Sequence, residues 1–174
     1  MAKATYQARV VANRLVTRKI FETVIELVEP PEFEFKAGQF VTVPVGEKLL
    51  RSYSISCPPR SPKSLEFIVD VSPGGPGSLF FKHLREGDAV SFQGPYGAFW
   101  LRPDTQQELL FIATGTGIAP IRGMILDIYD RGEHDRPMSL HYGVRHRDEL
   151  IYHEELLELA ESHPEFTYYP TISQ

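Results

Sequence analysis

The feature that most constrains this chain's fold is a change in hydrophobic period between its two halves. Up to Arg102, short segments of alternating apolar and polar residues are separated by Gly and Pro, a pattern typical of antiparallel strands. Beyond it, continuous apolar runs alternate with segments whose apolar residues have helical spacing. The sequence therefore predicts two domains, residues 1–103 and residues 104–174.

The first domain is predicted to be a six-stranded antiparallel Greek-key barrel, because six short strands with turn signals between them can close on one another. The predicted strands cover residues 6–16, 20–28, 40–45, 51–56, 65–71 and 89–92. Alternation in the fifth of these predicts a strand that is covered mainly on one face. One helix is predicted at residues 78–84, with Ser78 as its N-cap.

The second domain is predicted to be part of a doubly wound parallel α/β fold. Strands at residues 109–113, 138–144 and 166–172 alternate with helices at residues 118–129 and 148–162. The first strand is apolar throughout, which predicts burial on both faces. Asp148 is the predicted N-cap of the second helix. Because a three-stranded sheet is small, we expect a truncated chain whose sheet a partner chain could complete.

Composition and charge exclude several classes of protein. The 174 residues carry a net charge of −5 and their 18 Lys and Arg are scattered, which argues against a nucleic-acid partner. There is no run of about 18–20 apolar residues and no apolar signal segment at the start, so we expect a cytoplasmic protein without a membrane span. The one cysteine excludes an internal disulfide or a Cys-ligated cluster. The six histidines show no metal-ligand spacing, so no metal site is predicted.

The run Arg51-Ser52-Tyr53-Ser54 is the first candidate binding motif. A planar guanidinium suits phosphate oxygens, and Tyr53, two residues later on a strand, faces the same side as Arg51. Its ring can stack on a flavin, whereas Ser54 faces the opposite side in a regular strand. The alternative is an ordinary exposed arginine and a core tyrosine.

Two glycine motifs are the next candidates. Gly75-Pro76-Gly77-Ser78 precedes an apolar helix start in the first domain. Thr114-Gly115-Thr116-Gly117 follows a parallel strand and opens a helix in whose first turn Pro120 fits. Free N–H groups at a helix N-terminus bind phosphate, so the first motif and Arg51 can converge on one pyrophosphate. The alternatives are tight turns in which glycine meets only geometric needs.

Two basic residues follow the second parallel strand. Arg145 and Arg147 lie at the edge where nucleotides bind in such sheets. They can hold a 2′-phosphate, which would favour NADPH. The alternative is a solvated loop, so NADH stays open as the hydride donor.

Together these motifs resemble those of the ferredoxin–NADP⁺ reductase superfamily. Residues 51–54 are similar to its R-x-Y-S flavin motif, and residues 75–78 to its G-x-x-S phosphate loop. Residues 94–97 resemble its barrel-closing turn, and residues 115–120 its G-T-G-I-A-P pyridine-nucleotide loop. The resemblance covers nearly the whole chain and implies a FAD-binding barrel followed by an NAD(P)-binding domain.

The resemblance also implies roles for individual residues. Arg51 and Ser78 would hold the FAD pyrophosphate. Tyr53 would stack on the flavin and Ser54 would sit near its N5 atom, where hydride arrives, so these two are the implied catalytic residues. Thr116 would contact the nicotinamide end of the second cofactor. The implied FAD contacts are Arg51, Ser52, Tyr53, Ser54, Ile68, Val69, Asp70, Gly75, Pro76, Gly77 and Ser78, and the predicted nucleotide contacts are Thr114, Gly115, Thr116, Gly117, Pro120, Arg145 and Arg147.

By this resemblance the protein would be an FAD-dependent oxidoreductase. Hydride would pass from NADPH or NADH to the flavin, and single electrons would leave to an external ferredoxin, flavodoxin or oxygenase component. The alternative is a non-catalytic flavin-binding electron-transfer subunit or fragment that needs a partner chain. The family's later C-G-x-x-x-M segment and terminal aromatic residue do not occur in the 174 residues, which is why we expect a truncated form.

Overall fold

The computed structural model describes residues 4–60, 63–102 and 107–174. The predicted domain boundary between residues 103 and 104 lies outside these ranges and stays a prediction. Within them, no helix is long and apolar enough to cross a membrane.

The first domain is a six-stranded antiparallel sheet with Greek-key connections, as predicted. Its elements are β1 (Thr5–Leu15), β2 (Ile20–Glu29), β3 (Phe40–Gly46), β4 (Leu49–Ser54), β5 (Ser64–Asp70), α1 (Pro76–His83) and β6 (Ala89–Tyr96). The strand order is β4-β3-β6-β1-β2-β5, so β3 lies beside β6 rather than beside its neighbour in sequence, β2. In the described residues no ladder joins the edge strands β4 and β5, but the Ser56 N–H donates to the Glu66 carbonyl at 2.9 Å.

Alternation of side chains places the core of this barrel. In β3, Val41, Val43 and Val45 are buried, because every second residue of a strand points to the same face. They pack in one cluster with apolar residues of the other strands and with Phe81 of α1. The helix thus covers one side of the core and is held against the sheet.

Strand β5 is buried on both of its faces. Phe67 and Val69 point into the barrel core, whereas Ile68 belongs to the hydrophobic cluster of the second domain and is only 6% exposed. The prediction that this strand is covered mainly on one face is therefore wrong at Ile68. The reason is tertiary, since the second domain packs on the outward face of β5.

The second domain has the predicted strand–helix–strand–helix–strand order. Its elements are β7 (Leu109–Thr114), a 3₁₀ turn (Gly115–Gly117), α2 (Ile118–Asp130), β8 (Met138–Val144), a second 3₁₀ turn (Arg147–Glu149), α3 (His153–Ser162) and β9 (Phe166–Ile172). The three strands are parallel in the order β7-β8-β9.

Both helices of the second domain pack on the same face of its sheet. Phe111 and Ala113 point to that face and are buried, while Leu110 and Ile112 are 60% and 71% exposed on the other. The prediction that this strand is buried on both faces is wrong for the described part of the chain. An all-apolar strand cannot by itself tell which of its faces the rest of the fold will cover.

Two predicted helix caps are also wrong. Helix α1 begins at Pro76 after Gly75, and the Ser78 hydroxyl, inside its first turn, donates to the Asp70 carbonyl at 3.3 Å. Helix α3 begins at His153, five residues later than predicted, after Tyr152 adopts a left-handed conformation with φ of 59°. Asp148 lies in the preceding 3₁₀ turn, where the chain turns Glu149 into the protein instead of starting a helix.

Candidate functional site

The first motif lies directly against the N-terminal turn of α1. Gly77 is buried there, and a Cβ atom at this position would overlap the Tyr53 hydroxyl and lie 3.3 Å from Arg51 Cγ. Only glycine leaves room for strand β4 and the helix to approach so closely. The structure therefore brings Arg51, Tyr53 and Gly77 together, although 20 residues of chain separate the two motifs.

The side chains of β4 are placed for a cation and a ring. Arg51 is exposed, its Nη1 donates to the Leu50 carbonyl at 3.0 Å, and it forms no ion pair with a described residue. The Tyr53 ring packs on Phe81 of α1 with the ring centroids 4.4 Å apart. Burial raises the pKa of the Tyr53 hydroxyl and the nearby Arg51 charge opposes this shift, so at neutral pH the hydroxyl keeps its proton and can donate.

The N-terminus of α1 has the features of an anion site. No side chain caps the helix, and a Cβ atom at Gly74 or Gly75 would meet nothing within 4 Å. Pro76 has no N–H, and the first-turn N–H groups of Gly77 and Ser78 have no acceptor within the helix. An uncapped helix tip beside an exposed guanidinium fits a pyrophosphate, because both supply donors to the same negative charge.

The other predicted flavin contacts are placed as follows. Ser52 is exposed on β4, and Ser54 is half-buried opposite Phe40 of β3. The side chains of Ile68 and Val69 are buried, which leaves mainly their backbone for a ligand. Asp70 accepts a hydrogen bond from the Ser72 N–H at 2.8 Å, so its carboxylate serves the turn that leads to α1. Their contacts with a cofactor stay predictions.

The second glycine motif lines a cleft at the carboxyl end of the parallel sheet. Gly115 has φ of 51°, and its carbonyl accepts a hydrogen bond from the buried Tyr142 hydroxyl at 3.1 Å. A Cβ atom at Gly115 or Gly117 would meet nothing within 4 Å, so the loop has open space in front of it. Thr116 is half-buried in the 3₁₀ turn, and Pro120 lies in the first turn of α2. A cavity of about 420 Å³ lies there, lined by Lys19, Thr114, Gly115, Gly143, Val144, Arg145, Glu149, Thr171 and Ser173.

The two predicted phosphate-binding arginines are separated. Arg145 lines the cavity beside Gly115, whereas Arg147 lines a different cleft with Tyr152 and Glu155. Both are exposed. The 3₁₀ turn that follows Arg145 turns the chain away from the sheet edge, so the structure brings only Arg145 to the glycine loop.

A buried carboxylate that pairs with two cations at this cleft was not predicted. Glu149 is 6% exposed, and its Oε1 lies 2.6 Å from Lys19 Nζ and 3.1 Å from Arg18 Nη2. The hydrogen bond from Lys19, assisted by the one from Arg18, lowers the pKa of Glu149 to about 2. The two cations come from the β1–β2 turn of the first domain, more than 120 residues away in sequence, and no local pattern signals this contact.

A second unpredicted network joins the two domains around Arg122 of α2. Its Nε and Nη2 donate to the two Glu155 carboxylate oxygens at 2.6 and 2.8 Å. Its Nη1 donates to Glu66 Oε2 at 2.7 Å and to the Ser56 carbonyl at 3.0 Å. The Tyr152 ring lies 4.2 Å from the guanidinium, and the Tyr152 hydroxyl donates to Ser56 Oγ at 3.4 Å. The end of the β4 segment is thereby fixed to the second domain.

Comparison with known proteins agrees with the fold. Residues 7–100 match the family model of the oxidoreductase FAD-binding domain, and residues 111–174 match that of the oxidoreductase NAD-binding domain. The chain is 39% identical over 142 residues to the reductase component DmpP of phenol 2-monooxygenase from Pseudomonas sp. (strain CF600), covering 80% of this chain and 40% of that protein.

Two further proteins are similar over almost the whole chain. Ferredoxin–NADP reductase B of Sorangium cellulosum is 31% identical over 172 residues, which cover 97% of this chain and 70% of that protein. The crystal structure of the Amycolatopsis cytochrome P450 reductase GcoB superposes with a TM-score of 0.88 at 31% identity, covering 97% of this chain and 52% of that one. The chain spans about half the length, or less, of the oxygenase reductase components that it matches. It belongs to the ferredoxin–NADP reductase-like family of oxidoreductases with FAD-binding and NAD-binding domains.

Proposed function

We propose that this protein is an NAD(P)H-dependent flavoprotein reductase that passes electrons to a separate acceptor protein. The observation that carries the proposal is the contact of Arg51 and Tyr53 with the uncapped start of α1. The first domain, which contains this contact, is fixed through Ser56 to the second domain, which contains the Gly115 loop. When bound, FAD would supply the chemistry that converts a two-electron donor into single electrons.

The residues of the barrel would bind and orient the flavin. Arg51 and the first-turn N–H groups of Gly77 and Ser78 would hold the pyrophosphate, with Gly75 and Pro76 forming the turn. The Tyr53 ring would orient the flavin, with Ser54 near the atom that receives hydride. Ser52, Ile68, Val69 and Asp70 would line the remainder of the cofactor.

The second domain would bind the pyridine nucleotide in its cleft. The backbone at Gly115, Thr116 and Gly117 would meet the pyrophosphate, as at other strand–helix junctions of parallel sheets. Thr114 and Pro120 shape this loop. Pairing of Glu149 with Lys19 and Arg18 supports the assignment, because it neutralises a carboxylate that would otherwise repel an anionic cofactor.

Arg145 would be the main determinant of NADPH over NADH. It is exposed at the cavity that contains Gly115, whereas Arg147 lines another cleft and would contribute less. A rigid cationic fork is well suited to a 2′-phosphate.

The acceptor in this proposal is an oxygenase component, a ferredoxin or a flavodoxin in the cytoplasm. DmpP is the reductase component of a phenol 2-monooxygenase, and GcoB is a cytochrome P450 reductase. Similarity to both supports an oxygenase-type acceptor without distinguishing one oxygenase from another.

An anaerobic reduction experiment tests the proposal. The purified protein is mixed with one equivalent of FAD, unbound flavin is removed, and absorbance near the flavin maximum is followed after NADPH or NADH is added. We expect a yellow protein that either nucleotide bleaches. Bound flavin that keeps its colour with both nucleotides would refute the reductase activity.

A second candidate is a flavin-binding electron-transfer unit that needs a partner chain to complete its parallel sheet. The exposed apolar side chains of Leu110 and Ile112 favour it, because such a face is usually covered. In this case FAD would bind, and the nucleotides would bleach it only after the partner chain is added.

A further inference from the structure

We propose that His134, His163 and Glu165 form a zinc site at the amino-terminal edge of the parallel sheet. His134 lies in the loop between α2 and β8, and His163 and Glu165 lie between α3 and β9. These are the loops that enter β8 and β9, at the edge opposite the Gly115 loop. Sequence spacing could not indicate this site, because 28 residues lie between His134 and His163.

The distances between the three side chains fit a tetrahedral ion. His134 Nδ1 and His163 Nδ1 lie 3.1 and 3.4 Å from the same oxygen, Glu165 Oε1. One potential ligand atom from each residue lies within 4.8 Å of the other two. In a tetrahedral zinc site with bonds of about 2.0–2.1 Å, neighbouring ligand atoms are about 3.3 Å apart. Two edges of the triangle have about this length, and the two imidazoles, whose potential ligand atoms lie within 4.8 Å of each other, would have to move closer to complete it.

The buried oxygen of Glu165 gives independent support. Glu165 Oε1 is inaccessible to solvent and has no hydrogen bond of acceptable geometry with a described residue, although both imidazoles approach it. The Tyr129 hydroxyl and the two imidazoles lie close to this carboxylate, and a cation would supply the bond that its buried oxygen lacks. The Tyr129 ring packs against both imidazoles, with centroids 5.1 Å from that of His134 and 4.3 Å from that of His163, which limits their rotation.

The donor set favours zinc over the common hard cations. Mg²⁺ and Ca²⁺ prefer six or more oxygen ligands, whereas two imidazole nitrogens and one carboxylate oxygen suit Zn²⁺. Three protein ligands leave the fourth position for water. Because the site joins the loops before β8 and β9, the ion would stabilise the second domain, and its distance from the Gly115 loop gives it no part in hydride transfer.

Zinc titration of the untagged full chain, first treated with EDTA, tests this site. Affinity is measured by competition with a fluorescent zinc chelator, and Co²⁺ absorbance reports the coordination number. We expect one ion per chain, a four-coordinate Co²⁺ spectrum and a rise in unfolding temperature with added zinc, because the ion binds the folded state only.

Variants decide whether these three residues hold the ion. His163→Ala and Glu165→Gln should each weaken zinc binding by more than about tenfold. Loss of a residue that only hydrogen-bonds to a metal ligand already costs about tenfold, so loss of a ligand should cost more. His141→Ala, which removes an exposed imidazole of β8 outside the cluster, should bind like the wild type. Glu165→Gln keeps the side-chain volume, so it provides the test if His163→Ala does not fold, as judged by far-ultraviolet circular dichroism. The proposal would be overturned if the wild type bound zinc no more tightly than Glu165→Gln. It would also be overturned if His141→Ala lost as much zinc affinity as the variants of the site.

Discussion

Replacing Arg122 by methionine should destabilise the protein by about 3 kcal/mol, because it breaks a nearly buried charge network. The Arg122 side chain is 12% exposed and donates four hydrogen bonds of 2.6–3.0 Å, to Glu155, Glu66 and the Ser56 carbonyl. Methionine fills a similar volume but removes the cation with which both carboxylates pair.

The magnitude follows from burial and exposure together. Breaking a buried pair by removing one partner costs about 3–5 kcal/mol. The Glu66 and Glu155 side chains are 31% and 38% exposed, so water can solvate part of each carboxylate and the lower end of that range applies. For a chain of this size, about 3 kcal/mol corresponds to a fall in unfolding temperature of about 6–12 °C.

Chemical and thermal unfolding, monitored by circular dichroism, measure this effect. The matched control is Arg131→Met, which also removes an arginine from the region of α2, but one that is 45% exposed and pairs with Asp127 and Glu133 at the surface. It should cost less than about 1 kcal/mol. If the two variants lose the same stability, the Arg122 network does not hold the domains together as argued.

Three further predictions concern the two clefts. Gly77→Ala should weaken FAD binding by about tenfold or more in a fluorescence titration, because its Cβ would displace Tyr53. The control Gly46→Ala should bind FAD normally, because its Cβ would meet its nearest neighbour at 3.8 Å. Glu149 has a pKa near 2 instead of its ordinary 4.5, so its pairing stabilises the fold above pH 4.5 and is lost as the pH falls from 4.5 towards 2. At about 1.36 kcal/mol per pKa unit, the difference between 4.5 and about 2 amounts to at most about 3.4 kcal/mol. Urea unfolding at pH 6 and pH 3.5 should therefore show a smaller change in stability for Glu149→Gln than for the wild type. Arg145→Ala should raise the KM for NADPH more than that for NADH in a ferricyanide reduction assay, and an equal effect of Arg147→Ala would contradict the assignment of the cleft.

Much of the fold could be predicted because periodicity reports local structure directly. Alternation in β3 follows from which face that strand buries within its own sheet, and the apolar run of β7 is enough to place a strand there. The wrong predictions depend on packing from elsewhere in the chain. Ile68 is buried by the second domain, and the exposure of Ile112 depends on which face receives the helices.

The candidate sites also contain a part that local sequence predicts and a part that depends on contacts between distant segments. Within each glycine motif, and within β4, the residues are close in sequence. The backbone there requires particular residue types, as at Gly77, where only glycine leaves enough room, and these can be recognised in the sequence. The pairs formed by Arg122 with Glu66 and by Lys19 with Glu149 join distant segments, and neither residue of such a pair differs from an ordinary surface charge until the fold brings them together. The starts of helices also depend on contacts with distant segments. Because Glu149 is buried, the chain forms a 3₁₀ turn at Asp148, and this residue does not cap α3.

The central claim is that the barrel holds FAD through Arg51 and the start of α1. The most direct test is to titrate the wild type and Arg51→Ala with FAD and to monitor flavin fluorescence. A charge-assisted hydrogen bond contributes about 1.5–3 kcal/mol, so the variant should bind FAD about 10- to 150-fold more weakly than the wild type. Arg14→Ala, which removes an exposed arginine of β1, should leave the affinity unchanged. Equal affinities of the wild type and Arg51→Ala would contradict the account.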